Sequence, residues 1–337
     1  MSFEFLLLLL FSFSAHAQTP ACLGTSIELN SQTNNPFVDL SFEYSSLHQM
    51  RRGWFLIDTG SNISHLDYSA AVTGEHGETP DPTELNFFRK IPFPDFHWND
   101  YSDFDLPVTE MGIIGTNVLS ENVYTIDFKN RKFHQSSFDE TCTPGELEAA
   151  GFLPLSTEGY FTSDENKLFP LEHVVPSDPN PLRRTVPDSP VVPIQVASVP
   201  AVAMIDSGFD DRVYTHSVNI NLALLNAVNQ DGLHLVRARK IPVIHLETCV
   251  SDANETVTAY KLQKGDALEW ISTSGVPVRS DQDAIFFLKE VPEEAMICGG
   301  IGTWEIPAAQ VGASFLRDMG TVIFNPETQR VWMPKIH

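Results

Sequence analysis

The chain runs to 337 residues, enough for one large domain or for two lobes with separate cores. Its 44 acidic residues against 21 basic ones give a formal net charge of −23, an excess that repels nucleic acid and anionic membrane surfaces. No Cys-x-x-Cys or His-Glu-x-x-His spacing occurs, and His65, His97, His216 and His245 stand alone, so neither a metal nor another cofactor is expected.

In chain order, residues 1–17 read as a signal peptide. A largely apolar run over Leu6–Phe13 precedes Ala15-His16-Ala17, a small-x-small cleavage signal, although the only charge ahead of it is Glu4. The run is too short to span a bilayer, and no later stretch is long enough either. Cleavage leaves 320 residues in a secreted or periplasmic protein.

Thr25–Asn30 and Phe37–Tyr44 then alternate apolar and polar residues, as half-buried strands do. Trp54–Ile57 is a continuous apolar run, the pattern of a strand covered on both faces, and it ends in Asp58-Thr59-Gly60-Ser61. A short helix is expected over Tyr68–Ala71, turns from Gly74 to Thr83, and an interrupted edge strand or loop over Phe87–Trp98, broken by Pro92 and Pro94. Two β-branched residues, Ile113 and Ile114, reach Gly115, and Val123–Phe128 and Lys132-Phe133 read as a strand and its return.

Residues 141–190 are rich in Pro, Ser, Asp and Glu and read as an extended connector, with an exposed maturation loop as the alternative. Val191–Val196 and Ala201–Ile205 form strand, turn, strand, and end in Asp206-Ser207-Gly208. Helical spacing follows over Val218–Val228, and strands over Ala259–Lys264, Leu268–Ser272 and Ala284–Leu288.

Two hydrophobic runs therefore each deliver a carboxylate to a glycine turn. The closing segments repeat as well. Gly115 is followed by Leu119 and Tyr124–Phe128, and Gly312 by Leu316 and Thr321–Asn325, in step to within one residue. The expected architecture is mainly β, with two related β-barrel-like lobes, 18–140 and 191–337, each carrying one Asp. Two carboxylates at one site cannot easily both ionise, so one proton is shared between them and the pair can act as acid and base together. In an exported chain the four cysteines are expected as disulfides. Three pairings are possible; Cys22–Cys142 and Cys249–Cys298 are favoured, because each joins residues of one half.

On these residues the chain resembles the two-lobed, pepsin-like aspartic peptidases, with a first lobe similar in size to a retroviral-type protease subunit. The resemblance rests on Asp58-Thr59-Gly60-Ser61, Asp206-Ser207-Gly208, Ile113-Ile114-Gly115, its partner around Gly312, and Phe315-Leu316-Arg317 followed by Val322-Ile323-Phe324. It implies a bilobal acid-protease fold with the active site between the lobes and an extended peptide or protein substrate bound across it. It further implies that Asp58 and Asp206 activate a water for peptide hydrolysis, with neither assigned as acid or base. Thr59 and Ser207 would cross-link the two loops, Gly60 and Gly208 would let backbone amides approach the carboxylates, and the Ser61 hydroxyl could bond Asp58. A monomer is expected.

Four features depart from that pattern. Phe209 stands where a small or hydroxyl residue is usual. Only 57 positions separate Asp58 from Gly115, with no flap Tyr-Gly pair; Tyr101 and Trp98 substitute by position alone. The second half has 106 positions between Asp206 and Gly312, a surplus that either builds a covering hairpin around Ala259–Ser274 or decorates the surface. There is also no room for a basic pro-segment. A non-catalytic cleft that binds a peptide or protein partner is the alternative function. A homodimer with an unrelated second half is a third reading, which the Gly312 repeat opposes.

Overall fold

The computed structural model describes residues 20–30, 33–44, 49–67, 82–92, 96–99, 110–157, 189–210, 213–248 and 250–336. Outside them lie the expected signal peptide, the helix over Tyr68–Ala71, most of the turn region after Gly74, Tyr101, Asp211, Cys249 and connector residues 158–188. The side chains of Trp98 and Cys298 also fall outside the description.

The protein is mainly β, built from two strongly curled half-barrel sheets and a third sheet. The first curled sheet has the strand order Arg89–Pro92, Pro82–Phe87, Phe37–Tyr44, Gln49–Ile57, Glu110–Ile114, Ser64–Asp67, Phe96–Asn99. The interrupted strand expected over Phe87–Trp98 is thus the end of Pro82–Phe87 followed by two short strands. Arg89–Pro92 and Phe96–Asn99 take the two edges, where proline is tolerated because no ladder bond is lost.

The second curled sheet repeats this arrangement. Val191–Val196 pairs antiparallel with Val199–Ile205, as Phe37–Tyr44 does with Gln49–Ile57. Ala308–Val311 runs parallel to Val199–Ile205, with Ile205 opposite Val311, and Glu110–Ile114 runs parallel to Gln49–Ile57, with Ile57 opposite Ile114. Ser217–Ile220 and Ser64–Asp67 then close antiparallel on these partners. A second half unrelated to the first is therefore excluded.

Each repeat leaves its sheet through a glycine that caps a helix. Gly115 precedes helix Thr116–Leu119 and Gly312 precedes helix Ala313–Met319. The strands that follow, Val123–Asp127 and Thr321–Asn325, pair with each other antiparallel in the middle of the third sheet. That sheet takes Thr25–Glu28, Lys132–Ser136 and Val123–Asp127 from the first half, and Thr321–Asn325, Arg330–Pro334 and Phe152–Ser156 on the other side. The rings of Tyr124 and Phe324 stack across the junction at 4.7 Å between centroids. One contiguous apolar core runs through all three sheets and includes Phe55, Ile57, Ile114, Ile205, Val311, Phe315 and Phe324, all fully buried. Each such side chain stabilises the fold by roughly 1.5–3 kcal/mol relative to exposure.

Three regions differ from expectation. The segment after 140 is not irregular throughout. Thr143 and Glu146 form a capping box that starts helix Pro144–Ala149, and strand Phe152–Ser156 follows, pairing with Arg330–Pro334. Helical spacing over Val218–Val228 resolves into strand Ser217–Ile220 and helix Leu222–Val228, because the Asn221 side chain accepts from the Leu224 N–H and caps the helix there. The long second-half insertion forms no covering hairpin around Ala259–Ser274. It is in part surface decoration, since strand Ile244–Glu247 is exposed along its whole length at the sheet edge, but its central strands belong to the sheet. Asn254–Leu262 pairs with Ile285–Glu290, while Leu268–Ile271 pairs with Val191–Val196, so both lie within the sheet. Leu268 and Trp270 are fully buried, which draws that strand inward.

Cys22 and Cys142 are disulfide-bonded, as favoured, and the bridge packs in a small cluster with Leu23, Leu147, Phe152 and Trp332. The pairing of Cys249 with Cys298 lies outside the described residues. Among the described residues no helix is long and apolar enough to cross a membrane.

Candidate active site

Both Asp motifs sit at the C-terminal ends of the buried strands Gln49–Ile57 and Val199–Ile205. The backbone treats them alike. The Ile57 N–H donates to the Pro36 carbonyl and the Ile205 N–H to the Pro190 carbonyl. The Asp58 N–H donates to the Ile114 carbonyl at 3.0 Å and the Asp206 N–H to the Val311 carbonyl at 2.9 Å. Ser61 and Phe209 then each give a carbonyl to the first turn of the helix behind, to Thr116 N–H and Ala313 N–H, both at 2.8 Å.

The two turns are locked to each other reciprocally. The Thr59 hydroxyl donates to the Ile205 carbonyl at 2.8 Å and accepts from the Ser207 N–H at 3.0 Å. The Ser207 hydroxyl donates to the Ile57 carbonyl at 2.6 Å and accepts from the Thr59 N–H at 2.9 Å. Thr59 and Ser207 are fully buried, so every one of these bonds is made away from water. Breaking one leaves a buried polar group unpaired, at a cost of about 1–3 kcal/mol. Two further side chains reach across. Asn35 Nδ2 donates to the carbonyls of Ser207 and Gly208, and the Ser189 hydroxyl donates to Asn62 Oδ1.

Gly60 and Gly208 do more than admit backbone amides. The Gly60 N–H donates to Asp58 Oδ1 at 2.7 Å, and the Gly208 N–H to Asp206 Oδ1 at 2.9 Å. Each glycine also faces the opposite carboxyl. A Cβ on Gly60 would lie 2.2 Å from Asp206 Cγ, and one on Gly208 would lie 2.5 Å from Asp58 Oδ2. Only hydrogen at these positions lets the carboxyls meet.

Asp58 and Asp206 do meet: the Asp206 carboxyl lies over Gly60 of the Asp58 turn and the Asp58 carboxyl over Gly208 of the Asp206 turn, close enough for each to act on the other's proton. Burial pushes the Asp206 carboxyl above the ordinary carboxylate range. Hydrogen bonds from Asp58, from the Gln310 amide and from the Phe209 and Gly208 N–H groups pull the other way without cancelling it. The result is a pair that holds a proton at pH values where a free Asp has lost it.

The residues named from sequence thus gather at one point, with one local difference. The Ser61 hydroxyl donates to the Ile63 carbonyl at 2.7 Å rather than to Asp58. The Phe209 N–H donates to Asp206 Oδ1 at 3.0 Å, so this residue serves Asp206 through its backbone, and its ring lies against Gly312. Asn35, Ser189 and Gln310 were not legible as site residues. Asn35 and Ser189 each precede a proline at equivalent places in the two repeats, the one signal that singles them out. No protein-family model and no curated protein matches the chain.

Proposed function

We propose that the protein is an exported aspartic endopeptidase, belonging with the pepsin-like, two-lobed peptidases that its motifs resemble. The observation that carries this reading is the facing pair of carboxyls, Asp58 and Asp206, on turns held by reciprocal Thr59 and Ser207 bonds. In the singly protonated pair, the ionised carboxylate takes a proton from a water as its oxygen bonds to the peptide carbonyl carbon. The protonated carboxyl gives its proton to the carbonyl oxygen, producing a neutral tetrahedral diol. Collapse of the diol breaks the C–N bond: the protonated carboxyl gives its proton to the leaving nitrogen, the ionised one takes a proton from a diol hydroxyl as the product carbonyl forms, and the pair again holds one proton. No metal or other cofactor enters these steps, and one chain supplies both carboxyls, so the working form is a monomer. Export accords with the Cys22–Cys142 bridge, since disulfides persist in oxidising compartments.

The test is digestion of a peptide library across pH by wild type, Asp58→Asn and Asp206→Asn. Cleavage should fall by at least 10³-fold in each variant and be blocked by pepstatin-type inhibitors. Wild-type rates in either variant would sink the pair. Phe209 favours a second reading, a cleft that binds a peptide or protein without turnover. Peptide binding by wild type with no cleavage at any pH is the outcome that selects it.

A further inference from the structure

The two carboxyls are not held alike. Gln310 lies on strand Ala308–Val311, opposite Met204 on the strand that delivers Asp206. Its counterpart in the first repeat is Ile113, opposite Leu56, which has no donor to offer. The Gln310 Nε2 donates to Asp206 Oδ2, the oxygen left over when Oδ1 has accepted from Gly208 and Phe209.

The amide itself is oriented from behind. Asn219 lies opposite Gln310 on Ser217–Ile220, is nearly buried, and donates from Nδ2 to Gln310 Oε1 at 2.8 Å. With Oε1 occupied by a donor, the Gln310 NH2 group is turned toward Asp206. The sequence here runs Asn219 to Gln310 to Asp206, a directed chain of two hydrogen bonds. On the Asp206 turn itself the Ser207 hydroxyl is taken by the Ile57 carbonyl and Phe209 offers only its backbone N–H, so Gln310 supplies the side-chain donor from the neighbouring strand.

We propose that Gln310, oriented by Asn219, is the positioning residue for Asp206, fixing the plane of its carboxyl and favouring its ionised form within the pair. This rests on the peptidase reading above. A donor to a buried carboxylate stabilises the charged state, and its loss leaves burial less opposed. Few other charges face the site among the described residues. Asp58 is the partner, the Asp210 carboxylate accepts from Asn34 Nδ2, and Arg317 donates to the Thr33 carbonyl and Asn34 Oδ1. Asp318 is turned to His216.

The experiment compares wild type, Gln310→Met, Gln310→Glu and Asn219→Ala, with Asp58→Asn and Asp206→Asn alongside. Methionine keeps the volume of glutamine and removes the donor. It should lower kcat about tenfold with KM changed less than twofold, and move the pH–rate profile up by about one unit. Gln310→Glu can donate only while protonated, so it should keep acid-side activity and lose it earlier as pH rises. Asn219→Ala should give a smaller shift of the same sign as Gln310→Met. A readout independent of turnover is the carboxyl ¹³C titration of labelled Asp, in which the slowest-ionising Asp should titrate higher in Gln310→Met. Urea unfolding confirms that each variant is folded. If Asp→Asn abolishes cleavage but Gln310→Met leaves both profile and titration unchanged, the positioning role is wrong and the peptidase stands. If wild type cleaves nothing, the peptidase reading fails, and the titration alone decides the role of Gln310.

Discussion

Asp206 sits in an environment that works against its own charge. Its folded carboxyl titrates above the ordinary value of about 3.9 because burial disfavours the anion. A carboxyl raised in this way contributes stability below its unfolded value, and that contribution is lost as pH rises through the folded value. At neutral pH the native state therefore carries an unfavourable term that asparagine removes. Asp206→Asn should be inactive yet at least as stable as wild type at pH 7, and less favoured relative to wild type at pH 3. Urea unfolding at the two pH values checks the sign. The glycines beside the pair have the opposite profile. Gly60→Ala and Gly208→Ala should each cut activity by 10²-fold or more, read as kcat/KM, because the new methyl group enters the space where the carboxyls meet.

At the scale of elements, the paired strands Val123–Asp127 and Thr321–Asn325 join the two repeats, and Asp127 sits at their junction, fully buried. Burial there opposes ionisation. His134, whose Nε2 lies 3.8 Å away, the Asn130 side chain and backbone, and the Thr321 hydroxyl outweigh it, and the Asp127 carboxyl titrates below its ordinary value. A depressed carboxyl contributes stability above its unfolded value, lost as pH falls through the folded one. Asp127→Ala should therefore cost about 2–3 kcal/mol at pH 7 and less at pH 2, measured by urea unfolding. The elements were largely readable in advance. The strands ending in Asp58 and Asp206 announced themselves as apolar runs, the first because Phe55, Leu56 and Ile57 are all buried, the second although only Ala201, Ala203 and Ile205 are. The Leu268–Ile271 strand was legible as a strand, but its placement beside Val191–Val196 was not, since strand pairing is non-local.

For the whole molecule, the Cys22–Cys142 bridge closes a separation of 120 residues and fastens the start of the described chain to the third sheet. A loop of that length carries a closure entropy of about 5 kcal/mol. Cys22→Ser should lower stability by about 3–5 kcal/mol without altering the pH–rate profile, because the bridge lies away from the carboxyls. Denaturant unfolding and peptide hydrolysis, run in parallel, separate the two effects.

The sequence by itself determined that each half runs an apolar strand into Asp, hydroxyl, Gly, and that each half passes through Gly115 or Gly312 to a further strand. Those features are local, set by hydrophobic periodicity and by residues a few positions apart. Only the tertiary structure decided which side chains serve the pair. The Thr59–Ser207 cross-link was expected from the motifs, but Gly60 is required because Asp206 faces it, Asn35 reaches the Ser207 and Gly208 carbonyls, and Gln310 reaches Asp206 from 104 positions away. Such contacts depend on how the sheets curl toward each other, and no spacing along the chain encodes that. Phe209 is the clearest case: as a residue it departs from the motif, and in the fold its backbone N–H supports Asp206 while Gln310 on a neighbouring strand adds a side-chain donor.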